Sequence, residues 1–67
     1  MDFLKAMALD EGDSATRDIA FRMEASASTA GNQRARLMDA GIVAAAGHGV
    51  VRFAIPGLRE YLLSLPE

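Results

Sequence analysis

Between Thr16 and Ile55 the hydrophobic period of the chain changes from the three-four spacing of helices to β-branched runs, and Gly41 marks the change. Thr16-Arg17-Asp18-Ile19-Ala20-Phe21-Arg22-Met23 has the spacing of a helix whose buried set is Ile19, Ala20 and Met23, with Phe21 on its flank. Glu24-Ala25-Ser26-Ala27 reads as a turn, and the serines around it supply an N-cap for a helix from about Ser28 to Ala40. Gly41 stops that helix, because glycine adopts the left-handed backbone without a Cβ clash. Two short strands follow, Ile42–Ala46 and Val50–Ala54, joined through Gly47-His48-Gly49. The two tip glycines suit a tight hairpin that needs positive φ.

Helix, short turn, helix and hairpin is the layout of a winged helix-turn-helix, in which the second helix of the pair presents side chains to a DNA major groove. The flanks extend it to an α+β, mostly helical domain of three helices, a hairpin wing and a C-terminal helix. Asp2 is placed to cap a first helix that buries Phe3, Leu4, Met7 and Ala8 on one stripe. Asp10-Glu11-Gly12-Asp13 ends it in a turn, where the acids are most simply solvated. Ser14-Ala15 is long enough for one extra strand pairing, and Ser14 or Thr16 for capping the next helix. Pro56 suits the first turn of a last helix with Leu58, Tyr61, Leu62 and Leu65 on its apolar side.

Sixty-seven residues make a single domain with a small core. The absence of cysteine and the single histidine exclude a disulfide framework and ordinary zinc ligation. No apolar stretch approaches the ~20 residues of a membrane span, so no membrane role and a cytoplasmic location are expected. No serine lies near His48 to form a nucleophile–base pair, and no phosphate-binding glycine loop leads into a lysine. The chain alone is expected to be no enzyme, with no catalytic residue, cofactor or metal. Its net charge is −2, but the signs are partitioned. The first thirteen residues are acidic, whereas all six arginines fall between residues 14 and 59.

The outer face of the long helix carries the candidate DNA contacts. Ser28 and Thr29 can reach phosphates, Asn32 and Gln33 have the paired donor and acceptor that read adenine, and Arg36 suits guanine or phosphate. An ordinary solvated face reads the same way, and Asp39 on that face carries the wrong sign for phosphate. Arg52 alternates with Val51 and Phe53, so it faces solvent, where it grips backbone phosphate or keeps the hairpin soluble. His48 is a turn residue whose imidazole can reach a minor groove. Arg34, beside the apolar stripe of Ala30 and Leu37, either snorkels along the core edge or pairs with Asp18 or Glu24. Leu37 is expected to be buried between the second helix and the wing.

Three blocks carry a resemblance over about residues 14–64: Arg34-Ala35-Arg36-Leu37-Met38-Asp39-Ala40-Gly41, then Phe53-Ala54-Ile55-Pro56, then Leu58-Arg59-Glu60-Tyr61-Leu62. The chain resembles the C-terminal winged-helix domain that follows the nucleotide-binding domain of certain prokaryotic AAA- or STAND-type ATPases. Gln33 departs from that pattern, which has an aromatic at this position. The resemblance implies a domain that binds double-stranded DNA, or one that docks on its own N-terminal ATPase domain or another protein. It also implies a C-terminal fragment whose natural protein continues upstream into a nucleotide-binding domain.

Overall fold

The computed structural model describes residues 2–66. Met1 and Glu67 lie outside the described residues, and with Met1 the expectation that the first helix continues from a preceding domain. The elements run α1 (Phe3–Ala8), β1 (Ser14–Ala15), α2 (Thr16–Met23), α3 (Ala27–Asp39), β2 (Val43–Gly47), β3 (Val50–Phe53) and α4 (Leu58–Ser64). The result is a small α+β domain, about half helical, with a three-stranded antiparallel sheet ordered β1-β3-β2. Ser14 and Ala15 pair with Val51 and Val50, so the short first strand clamps the hairpin against the helices.

The core is built from one face of each early helix and the inner side of the sheet. Phe3, Ala6 and Met7 of α1, Ile19 and Ala20 of α2, Ala30 of α3, Val43 and Val51 are all buried. The Asp2 carboxylate accepts a bond from the Lys5 N–H at 2.8 Å and so caps α1 as its sequence position implies. The start of α2 differs from expectation: Ala15 stands at the cap position and no side chain caps the helix. Ser14 is unavailable because it is buried and its hydroxyl donates to the Asp10 carboxylate at 2.7 Å. The Thr16 N–H donates instead to the Gly49 carbonyl at 2.9 Å, which ties this helix start to the hairpin turn. Ser26 caps α3, its Oγ accepting from Thr29 N–H at 3.1 Å, and Ala27 therefore belongs to the helix rather than the turn.

Both central helices end on a left-handed residue. After α3, the Ile42 N–H reaches the Leu37 carbonyl and the Gly41 N–H reaches Met38, with Gly41 at φ 76. This paired closure satisfies two carbonyls that the helix itself leaves open. The same pair of bonds closes α2, from Ala25 to Ala20 and Glu24 to Phe21, but the left-handed residue there is Glu24, at φ 55. Nothing in the composition of the turn announces that.

The hairpin and the last helix shift slightly from their expected bounds. A register irregularity between Ala45 and Gly47 lets Gly47 face Val50 across a two-residue turn, His48-Gly49. Only Gly49 of the two tip glycines has positive φ. Pro56 lies outside α4, in the turn before it, because the helix starts after the left-handed Gly57. Leu58, Arg59 and Leu62 form the inward side of α4, whereas Tyr61 and Leu65 are exposed. Arg59, on that inward side, reaches the carbonyls of Ala8 and Asp10 at and just beyond the end of α1. No helix among the described residues is long and apolar enough to cross a membrane.

Candidate interaction surface

Two arginines and an aspartate converge on the end of α1. A six-residue helix leaves its last carbonyls without internal partners. Arg22, in the last turn of α2, donates from Nη1 to the Ala6 carbonyl at 2.9 Å and grips the Asp10 carboxylate through Nη1 and Nη2, at 2.8 and 3.0 Å. Arg59 donates from Nε to the Ala8 carbonyl at 3.1 Å and to the Asp10 carbonyl at 2.7 Å. The Arg22 bonds, and after them the Ser14 hydroxyl, hold the Asp10 carboxyl below the usual carboxylate range. Asp10 is thus the centre of a polar cluster joining α1, α2, β1 and α4, not the solvated turn acid its sequence suggests.

Arg52 pairs with another acid of the same turn, Asp13. Its Nε lies 3.4 Å from Asp13 Oδ1, with both side chains about half exposed. The acidic first turn therefore folds back onto the basic segment, and the sign partition of the sequence disappears in space. Excluding these two ion pairs, the segment from Thr16 to Phe53 retains Arg17, Arg34 and Arg36 against Asp18, Glu24 and Asp39. The helix pair and hairpin have no net charge left.

The candidate contacts divide into two groups. Ser28, Thr29, Asn32 and Arg36 are exposed along the outer side of α3, as expected, and Asp39 lies with them. The Thr29 hydroxyl is engaged with Ser26 at 3.0 Å. His48 is exposed at the hairpin tip, beside Arg17 and Thr16 at the start of α2. Gln33 is half-buried. With Leu37 of α3 it lines an open groove against Asp2, Phe3 and Leu4 of α1, about 300 Å³ in volume, and Arg36 borders the same groove. Leu37 is accordingly half-buried in this groove rather than sealed between α2 and the hairpin. Arg34 does not pair with Asp18 or Glu24: among the described residues it is in no ion pair, and its Nε is buried without a hydrogen-bond partner.

Sequence reasoning missed the groove because its walls come from two helices far apart in the chain. It also undervalued Phe21, which is 85% exposed on α2 and is the most exposed of the large apolar side chains.

Fold and surface together define a small α+β domain with an open, mostly apolar groove between α1 and α3. The chain belongs to the family described as a domain of unknown function, DUF8462, which matches residues 1–62. That match takes in the groove, the Asp10 cluster, the hairpin and most of α4. No curated protein and no solved structure matches the chain.

Proposed function

We propose that this domain is a winged helix-turn-helix that docks on protein rather than reading DNA. The order helix, strand, helix, helix, hairpin, with β1 paired to the second hairpin strand, supports the winged-helix assignment. The partner fits the nucleotide-binding domain of an AAA- or STAND-type ATPase, of which this would be the C-terminal part, or another protein. The cytoplasm suits a cysteine-free domain of this kind.

One observation carries the reading: Arg22 is bonded to Asp10, Arg52 stands beside Asp13 with its charge offset there, and the rest of the helix pair and hairpin is electrically balanced. Affinity for duplex DNA comes largely from cations that displace counterions from phosphate, so a face without net positive charge lacks the main driving term. Protein interfaces make no such demand and use apolar anchors in pockets.

DNA binding is the second reading, favoured by the exposed Ser28, Thr29, Asn32 and Arg36 on α3. Fluorescence anisotropy with a labelled mixed-sequence duplex separates the two. Protein docking predicts negligible binding at about 0.15 M ionic strength. Micromolar binding there, with a salt slope that falls by about 1 in Arg36→Ala, would overturn it.

A further inference from the structure

Resting on the protein-docking reading, we infer that the α1–α3 groove receives Phe21 from a second copy of this chain. An apolar cavity of roughly 150 Å³ is enough to admit benzene. The groove offers about 300 Å³ with Phe3, Leu4 and Leu37 in its walls, so a phenyl ring fits. Phe21 presents that ring almost wholly to water, at 85% exposure.

The charges around ring and groove are complementary. The groove is lined by one carboxylate, Asp2, and one guanidinium, Arg36, and among the described residues neither is in an ion pair. Phe21 lies one turn after Arg17 on α2 and three residues before Glu24, the left-handed cap residue that follows the helix, and both are exposed. A docked α2 therefore brings Glu24 toward Arg36 and Arg17 toward Asp2. Residues that meet reciprocally in this way can close a two-fold dimer. Two rings and four half-exposed ion pairs still bury less than the about 1,200 Å² of a stable interface, so the association is weak and transient.

Sedimentation equilibrium across a wide concentration series reads this directly. The parent domain should rise from monomer toward dimer mass, while Phe21→Ala and Gln33→Trp, which fills the groove from within, should each stay monomeric. Phe21→Ala keeps its fold because so little of the side chain is buried, and circular dichroism verifies it. Arg36→Glu takes the place of Gln33→Trp if the latter fails to fold. Mixing Phe21→Ala, whose groove is intact, with Gln33→Trp, whose Phe21 is intact, should give association that neither variant shows alone but weaker than the parent's, because a mixed two-fold pair keeps one of the two ring contacts. A parent that is monomeric throughout, a Phe21→Ala variant that associates like the parent, or a mixture that does not associate would overturn the inference. A monomer that also ignores duplex DNA leaves the docking reading standing with a different protein as partner, whereas steep salt-dependent DNA binding removes that reading itself.

Discussion

Protonating Asp10 removes the charged acceptor for two guanidinium bonds and one hydroxyl bond, and the end of α1 depends on that acceptor. Its folded pKa is lowered, so its contribution to stability is complete above the unfolded carboxylate range of about 4 and is lost as pH falls through the lower folded value. Thermal melts from neutral to acidic pH should show this loss, and in Asp10→Asn the curve should be flatter on the acid side. At neutral pH the same variant should cost about 1–3 kcal/mol, because Arg22 and Ser14 lose a charged partner in a partly buried site. Glu24 supplies the opposite case. A left-handed backbone costs an ordinary residue roughly 1–2 kcal/mol, part of which glycine offsets by its greater loss of chain entropy. Glu24→Gly should therefore raise stability by up to about 1 kcal/mol in a denaturant titration, and a lower midpoint would show that the Glu24 side chain has a stabilising contact. Neither residue was legible in the sequence. Asp10 meets its partners twelve and forty-nine positions away, and periodicity carries no information across such separations.

The helices and strands themselves were legible, because caps and periods are local. Asp2 capping α1, serine capping α3, Gly41 closing α3 and a hairpin turning around His48 all follow from neighbouring residues, whereas the place of Gly47 inside β2 does not. What periodicity assigns is a face, not a depth. It placed Ile19 and Leu37 on inward faces alike, yet Ile19 is fully buried and Leu37 lies half-open in the groove. Ile19→Ala should cost ~2–5 kcal/mol, much of what a domain of this size has at about 0.05–0.15 kcal/mol per residue. Leu37→Ala should cost less, about 1–2 kcal/mol, since roughly half of its transfer term is never realised. Equal losses in the two variants would mean that the groove closes in solution. The last helix makes the same point from the other side: its period suggested Tyr61 and Leu65 as inward, but both are exposed and Arg59 faces inward, donating to the carbonyls of Ala8 and Asp10.

At the scale of the whole molecule, the decisive property is how acids and bases of one short chain are arranged against each other. The sequence separates an acidic start from an arginine-bearing middle, and folding brings them together through Arg22 with Asp10 and Arg52 with Asp13. Linear charge patterning could not show this, since it depends on β1 leading the first turn past the hairpin. The Arg52–Asp13 pair is the accessible one, with both side chains about half exposed, and it can be broken without touching the core. The salt dependence of binding to one mixed-sequence duplex, measured for the parent and for Asp13→Asn, tests internal neutralisation most directly. Internal pairing predicts a parent with weak binding and a shallow slope, and an Asp13→Asn variant whose slope steepens by about 1 as Arg52 becomes free for phosphate. A parent that already binds tightly with a slope of several units, unchanged by Asp13→Asn, would contradict it.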